Sequence, residues 1–255
     1  MRIDLNADVG ESFGAWSLGE DEALIPHVTS INVACGAHAG DPRTIDRTIA
    51  LAVEHGVAIG AHPGYPDLAG FGRRAMDLPP EDIEASVLYQ VAAVAGFARA
   101  YGTPLRHVKA HGALYNRAAR DAAAAAAIAR AVRRFDPSLA LVGLAGSALL
   151  DAGRAAGLPV LAEAFADRAY EPDGALRGRH HADALLADPG ATARQAVRIA
   201  CERRVTAIDG RDVDVAADTL CVHGDAPGAA TRAAAVRAAL VAAGVEVVAP
   251  SSRAG

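Results

Sequence analysis

The sequence predicts an α/β fold, namely a single-domain, somewhat irregular (β/α) barrel of seven or eight strands. Short apolar runs alternate with helical stretches along all 255 residues, as in a parallel sheet whose two faces are covered. Polar side chains follow almost every apolar run. A doubly wound open sheet gathers such residues at one switch point, whereas a barrel brings the carboxyl ends of all its strands to one mouth. The even spread of polar residues therefore favours the barrel.

The predicted strands are short and apolar, and helices are predicted between them. The strands cover residues 2–6, 29–34, 57–61, 106–110, 139–144, 159–163, 218–223 and 245–248. The helices cover residues 42–56, 80–101, 119–134, 146–156, 189–203 and 228–243. Asp41 followed by Pro42 is typical of a helix start, and Gly56 of a helix end.

One pair of segments falls outside this repeat. Residues 205–208 and 212–215 flank an Asp-Gly turn, which predicts a β-hairpin. No linker divides the chain, and barrels of this type reach about 250 residues as one unit. We therefore predict one barrel domain over residues 1–250 and a frayed tail at 251–255.

The composition argues against several classes of function. Hydrophobic residues make up 52% of the chain, and the formal net charge is −5 with no basic run. Because nucleic-acid binding needs clustered Lys and Arg, a nucleic acid is not an expected partner. No uninterrupted apolar stretch reaches the roughly 18 residues of a membrane span, and the N-terminus lacks the features of a secretory signal. We expect a cytoplasmic protein without a membrane segment.

The first strand carries three polar residues on one side. Asp4, Asn6 and Asp8 alternate along it, and side chains two residues apart in a strand point to the same face. If that face is the barrel interior, these side chains line the mouth, with Asn32 at the end of the second strand. A buried acid is costly unless it is paired, hydrogen-bonded or metal-bound. Asp8 is therefore a candidate catalytic residue, and the other three are candidate substrate ligands.

Two histidines lie in glycine-bordered loops, where a ligand can approach the backbone. They are His38 and His62, which follow the second and third strands. With Asp8 they make a candidate Asp/His/His site for a divalent metal that activates water. The spacing matches no compact metal motif, so the alternative that these side chains satisfy turns and helix ends stays open.

Lys109 and His111 alternate at the end of the fourth strand and so face the same side. A lysine inside a barrel must be paired. Lys109 could stabilise a developing oxyanion while His111 moves protons. Glu163, at the end of the sixth strand, is a further candidate catalytic residue. The alternative is a structural ion pair between Lys109 and Glu163 across the mouth.

Other candidate substrate ligands follow further strands. Arg73 and Arg74 lie in a glycine-rich loop and could grip a carboxylate or phosphate, or else form a solvated surface pair. The remaining candidates are Asp167, Arg168, His223 and Asp225. Any one of these residues could simply cap a helix. Because they share one topological position, together they indicate a single active site.

Seven segments of the chain carry a family resemblance. They are DLNADVGESFG (4–14), NVACGAHAGDP (32–42), GAHPGYPD (60–67), GFGRR (70–74), HVKAHGALYN (107–116), EAFADRAY (163–170) and CVHGD (221–225). The chain resembles the LamB/YcsF family, that of the 5-oxoprolinase A subunits, in the family's own order over about residues 3–225. Ala110 and Gly178 stand where the family usually has proline. Both positions affect the backbone more than the chemistry.

The resemblance implies ATP-dependent opening of 5-oxo-L-proline (pyroglutamate) to L-glutamate, with ADP and phosphate as coproducts. It also implies a multi-subunit enzyme with subunits B and C as partners, and a barrel related to that of glycoside hydrolases and deacetylases. ATP is the implied co-substrate. Because the chain has no glycine loop of the P-loop type, it contacts ATP by another geometry or leaves it to a partner subunit.

On this interpretation Asp8 and His111 handle protons, Lys109 holds the oxyanion and one arginine holds the substrate carboxylate. Two other functions stay open at this point. One is a stand-alone metal-dependent amidohydrolase or deacetylase that uses the Asp/His/His site. The other is a non-catalytic subunit that binds a carbohydrate or a lactam.

Overall fold

The computed structural model describes residues 1–250 as ten strands and eight α-helices in one α/β unit. The strands are β1 (Arg2–Val9), β2 (Ser30–Ala34), β3 (Ala58–His62), β4 (His107–Lys109), β5 (Ala140–Leu144), β6 (Val160–Phe165), β7 (Arg204–Thr206), β8 (Asp212–Asp214), β9 (Thr219–Val222) and β10 (Glu246–Val247). Seven of them, β1 to β6 and β9, form a closed parallel barrel. The predicted fold class is confirmed.

Strand β9 closes the ring, because Thr219 is in register with Glu163 of β6 on one side and with Asp4 of β1 on the other. The eighth predicted main strand is not part of the ring. It is reduced to β10, which pairs in parallel with β1 at Arg2 and Ile3. The predicted hairpin is confirmed, since β7 and β8 pair antiparallel.

Helices connect the strands on the outside of the barrel. They are α1 (Asp21–Leu24), α2 (Pro42–Glu54), α3 (Pro80–Ala100), α4 (Gly112–Ala118), α5 (Ala122–Phe135), α6 (Ala148–Ala155), α7 (Pro189–Glu202) and α8 (Ala229–Ala242). The short helices α1 and α4 were not predicted. Helix α5 begins later than predicted because Asp121 caps it, accepting hydrogen bonds from the backbone N–H groups of Ala123 and Ala124.

The two faces of strand β1 are both buried, but they differ in polarity. Along β1, Leu5 and Ala7 contribute to the hydrophobic core. The alternate residues Asn6 and Asp8 form hydrogen bonds with polar side chains of other barrel strands. The apolar core therefore lies outside the ring, between strands and helices, and the inside of the ring is a polar column. Period-two alternation in the sequence produces this division directly.

One close contact inside the column, between β3 and β4, limits which residues each of these strands can carry there. Gly60 of β3 and His107 of β4 are register partners, and a Cβ atom at position 60 would overlap the His107 imidazole. The His107 ring lies over the glycine and places Nε2 2.8 Å from Asn32 Oδ1. Burial and the nearby Lys109 charge lower the pKa of His107 to about 3.

Within residues 1–250, no helix combines the length and apolar character needed to cross a membrane. The frayed tail predicted at 251–255 lies outside the described residues.

Candidate active site

The polar column runs from the amino-terminal end of the barrel towards its mouth. Asp4 accepts hydrogen bonds from Ser30 Oγ at 2.8 Å and from Thr219 Oγ1 at 2.5 Å. Asn6 Nδ2 donates to Thr219 Oγ1 at 2.7 Å, and Asn32 Nδ2 donates to Asn6 Oδ1 at 2.8 Å. Burial raises the pKa of Asp4 to about 6, although these hydroxyl groups oppose the rise.

Of the polar residues on β1, only Asp8 lines the cavity at the mouth. Asp4, Asn6 and Asn32, predicted to contact substrate, lie beneath the floor of that cavity, and Asp4 instead lines a groove at the opposite end of the barrel. Alternation correctly places the side chains inward. Each step of two residues also moves a side chain about 6.6 Å along the strand. The structure therefore places these three residues outside the cavity lining, and their contact with substrate stays a prediction.

Lys109 lies at the centre of the column. Its Nζ is 2.9 Å from Asp8 Oδ1, 2.7 Å from Glu163 Oε1, 3.2 Å from Asn6 Oδ1 and 3.1 Å from Cys221 Sγ. Burial alone would lower the pKa of Lys109, but these neighbours raise it well above its usual value. These neighbours favour the charged ammonium form, and the ion pair between Lys109 and Glu163, the structural alternative from the sequence, is present.

Glu163 is fully buried and reaches the cavity only through its neighbours. Tyr115 Oη donates a hydrogen bond to Glu163 Oε2 at 2.7 Å, so both carboxylate oxygens are engaged. Burial and the Glu163 charge raise the pKa of Tyr115 well above its usual value. Tyr115 was not a predicted site residue. Its position four residues after His111, at one helical turn, was the signal that could have indicated it.

Two histidines meet on the floor of the cavity. His62 Nδ1 lies 2.8 Å from the carbonyl oxygen of Lys109, and His111 Nε2 lies 2.8 Å from the carbonyl oxygen of Phe71. The other two nitrogens, His62 Nε2 and His111 Nδ1, are 3.0 Å apart. Both ring nitrogens of His111 thus have a contact within the described residues, and its predicted role in proton transfer stays a prediction.

His38 and Glu11 complete this histidine cluster. The rings of His38 and His111 are stacked, with centroids 3.8 Å apart, and neither ring nitrogen of the fully buried His38 has a hydrogen-bond partner within residues 1–250. Burial and the neighbouring imidazoles lower the pKa of His38 well below its usual value. Burial and the Asp8 charge raise the pKa of Glu11.

The cluster differs from the predicted metal site of Asp8, His38 and His62. Potential ligand atoms of Glu11, His38, His62 and His111 lie within 4.8 Å of one another. Asp8 Oδ2 is 3.4 Å from His62 Nε2 but groups with Cys221 and His223 by the same measure. Glu11 and His111 were not among the expected ligands.

The orientation of another histidine, His223, is fixed by the carboxylate of Asp167. Asp167 accepts hydrogen bonds from the backbone N–H of His223 and from His223 Nδ1, each at 2.9 Å. Burial alone would raise the pKa of Asp167, but His223 holds it below its usual value. His223 stacks on Phe165 and lines the cavity, and its Nε2 has no hydrogen-bond partner within residues 1–250. It is the histidine best placed to exchange a proton with a ligand.

The cavity has a volume of about 520 Å³ and a cationic wall. The arginines that line it are Arg73, Arg120, Arg168, Arg177 and Arg179. Arg168 is buried and donates only to the carbonyl oxygens of Ala184 and Arg177, and it forms no salt bridge with any of residues 1–250. Burial and the nearby Arg179 lower the pKa of Arg168 to about 10. A buried cation that forms no salt bridge at a cavity wall favours an anionic ligand.

The side chains of the two arginines in the glycine-rich loop point in different directions. Arg73 lines the cavity and pairs with Asp225, which also lies 3.4 Å from Arg179. Asp225 therefore positions two arginines of the wall. Arg74 points away, pairs with Asp67 and has a side chain that is 66% exposed. Arg74 does not line the cavity, and its predicted contact with substrate stays a prediction.

Comparisons with known proteins identify a matching family and closely similar sequences. The LamB/YcsF family profile matches residues 3–254. A protein from Chloroflexus aggregans, named as the A subunit of 5-oxoprolinase, is 60% identical over 250 residues, which cover 98% of this chain and 99% of that protein. A protein of the same name from Methylococcus capsulatus is 56% identical over 247 residues, which cover 97% of this chain and 95% of that protein.

A solved structure is similar to this chain in both fold and sequence. The crystal structure of a lactam utilization protein from Thermus thermophilus has a TM-score of 0.93 and 52% sequence identity, and the alignment covers 98% of this chain and 100% of that one. Both the sequence match and the shared barrel extend over nearly the whole chain. The chain therefore belongs to the LamB/YcsF family.

Proposed function

We propose that this protein is the A subunit of a multi-subunit 5-oxoprolinase, which converts 5-oxo-L-proline and ATP to L-glutamate, ADP and phosphate. The observation that carries the proposal is the cationic cavity, in which the buried Arg168 forms no salt bridge with any of residues 1–250. A small carboxylate such as 5-oxoproline supplies the missing negative charge. The names of the relatives at 60% and 56% identity support this choice of reaction.

The chemistry explains why ATP is needed. A lactam carbon is a poor electrophile because the ring nitrogen shares its lone pair with the carbonyl group. When the lactam oxygen attacks the γ-phosphorus of ATP, a new O–P bond forms, the bond to ADP breaks and the ring carbon becomes reactive. Water then adds to this carbon, and the C–N bond breaks as the nitrogen takes up a proton. A second water hydrolyses the resulting acyl phosphate to glutamate and phosphate.

The cavity residues fit the needs of the ring-opening step. Arg168 and Arg179 bind the carboxylate of the substrate, since guanidinium groups match carboxylates in geometry. His223, held by Asp167, takes a proton from the attacking water and returns it to the leaving nitrogen. Lys109 remains charged on the floor of the cavity and stabilises the negative charge that develops on oxygen.

In this proposal the nucleotide is bound with the help of partner subunits, which we infer to be subunits B and C. The sequence offers no glycine loop of the P-loop type. The arginines of the wall carry enough positive charge to accept a phosphorylated lactam once it has formed. The isolated chain is therefore expected to be inactive towards 5-oxoproline.

The test is glutamate release from 5-oxoproline by the purified chain, with and without ATP and with and without subunits B and C. Release only when ATP and both partners are present supports the proposal. Release by the chain alone without ATP would instead establish a stand-alone amidohydrolase. Binding of 5-oxoproline without turnover in any combination would establish a non-catalytic subunit.

A further inference from the structure

When both rings are neutral, no hydrogen is available for a hydrogen bond between His62 and His111. A carbonyl oxygen can only accept, so Lys109 O requires a hydrogen on His62 Nδ1 and Phe71 O requires one on His111 Nε2. In neutral rings the remaining nitrogens then carry only lone pairs. These two nitrogens face each other at 3.0 Å. Two lone pairs at this distance repel unless an electrophile, either a proton or a metal ion, lies between them.

The charges around the pair distinguish these two electrophiles. Asp8 Oδ2 lies 3.4 Å from His62 Nε2, and Glu11 Oε1 lies 3.9 Å from His111 Nδ1. Lys109 pairs with Asp8 and Glu163, and Glu11 has no salt-bridge partner other than His111 within residues 1–250. A divalent cation at the imidazole pair would have a carboxyl group on each side, Asp8 beside His62 and Glu11 beside His111, which is the mixed nitrogen and oxygen donor set that such ions take.

Three separations between the possible ligand atoms are also close to those of a coordination sphere. Neighbouring ligands of an ion with bonds of about 2.0–2.2 Å lie roughly 3.0–3.5 Å apart. The separations of 3.0 and 3.4 Å fall in this range, and the 3.9 Å separation is slightly wider. Histidines that bind metals almost always donate their second ring N–H to a carbonyl or carboxylate group. Both His62 and His111 do so.

We propose that Asp8, Glu11, His62 and His111 bind one divalent transition-metal ion on the floor of the cavity. Two imidazoles with carboxylates suit zinc, manganese, iron or cobalt better than magnesium, which prefers oxygen ligands. Asp8, His62 and His111 line the cavity, so an ion can enter from the mouth. This site differs from the Asp8, His38 and His62 set that the sequence predicts.

His38 provides an independent observation. It is completely buried and both of its ring nitrogens lack partners within residues 1–250, which is costly for a polar group. Its ring is parallel to that of His111, with an angle of 4° between the planes, so the two cannot both point a lone pair at one ion. Water bound to the ion would supply the hydrogen bonds that His38 lacks. His38 therefore belongs to the surroundings of the ion and not to its ligands.

The experiment measures metal binding by the full chain without substrate or partner subunits. Protein stripped with a chelator is titrated with Zn²⁺ and with Mg²⁺ by calorimetry, and bound metal is counted by mass spectrometry. We expect one Zn²⁺ per chain, a higher melting temperature with Zn²⁺, and no saturable Mg²⁺ binding. In His62→Gln and His111→Gln the affinity for Zn²⁺ should fall about 100-fold or more.

His55→Gln is the matched control, because His55 is exposed and lies outside the cluster, and its affinity should equal that of the wild type. If either buried histidine variant fails to fold by circular dichroism, Glu11→Gln replaces it, with an expected loss of about 10-fold or more. Folded wild-type protein that does not bind Zn²⁺, or ligand variants that bind it as tightly as the wild type, would overturn the proposal. The result is independent of the 5-oxoprolinase assay, so either proposal can fail alone.

Discussion

Lys109 Nζ lies 2.7 Å from Glu163 Oε1 and 2.9 Å from Asp8 Oδ1. One buried ammonium group therefore holds two buried carboxylates, one that lines the cavity and one beneath it. This ion triad links the stability of the barrel to the electrostatics of the site.

Replacing Lys109 by methionine removes the cation and leaves both carboxylates without it. Because breaking a buried ion pair is strongly destabilising, the free energy of unfolding should fall by about 3–5 kcal/mol. Urea denaturation followed by circular dichroism measures this change. Glutamate formation by the assembled enzyme should be lost, and near-normal turnover would remove Lys109 from the proposed chemistry.

A double variant distinguishes the effect of Lys109→Met on stability from its effect on activity. Lys109→Met combined with Glu163→Gln removes one negative charge along with the positive one. It should therefore recover part of the lost stability while the enzyme stays inactive. Recovery of activity together with stability would show that Lys109 acts only as a structural residue.

The loop arginines provide a comparison between neighbours. Arg73→Ala removes a cation from the cavity wall and should raise KM for 5-oxoproline about 10-fold or more, as expected for the loss of a charged hydrogen bond. Arg74→Ala removes an exposed side chain that pairs with Asp67 outside the cavity, and KM should stay within about 2-fold of the wild-type value. Steady-state kinetics of the assembled enzyme with each variant measure the two KM values. Equal changes in KM would contradict the placing of Arg73 in the cavity wall and of Arg74 outside it.

Asp167 is expected to position His223. In Asp167→Asn the side chain can no longer accept hydrogen bonds through two charged oxygens, so His223 loses the partner that fixes its tautomer. We expect kcat to fall by about 10²-fold with little change in KM, and the pH profile of kcat to shift. A rise in KM with unchanged kcat would instead indicate a role in substrate binding.

Asp4 should make stability depend on pH. Its pKa is raised to about 6 in the folded protein from an ordinary value of 3.8, so the folded state binds the proton more tightly than the unfolded state. The free energy of unfolding should therefore decrease as pH rises from about 4 to 6, by up to about 3 kcal/mol. In Asp4→Asn this part of the slope should disappear. An unchanged slope in the variant would show that Asp4 is ionised in the fold at these pH values.

The sequence was sufficient for the barrel because its strands alternate with capped helices and its polar residues follow nearly every strand. It was also sufficient to bring Asp8, Lys109 and His111 together, since strand ends of a parallel barrel converge. It could not tell Arg73 from Arg74, because loop direction depends on contacts such as that with Asp67. It could not give the depth of Asp4 either, because depth depends on which strand residues reach the mouth.

The lack of space between Gly60 and His107 has a consequence for how this chain can evolve. No side chain larger than glycine fits at position 60 while the imidazole is present, and shortening His107 alone would leave a void and take away the hydrogen-bond partner of Asn32 Oδ1. Either change alone passes through a less stable protein. In related sequences the two positions should therefore vary together, and a lineage with alanine at position 60 should carry a smaller residue opposite it.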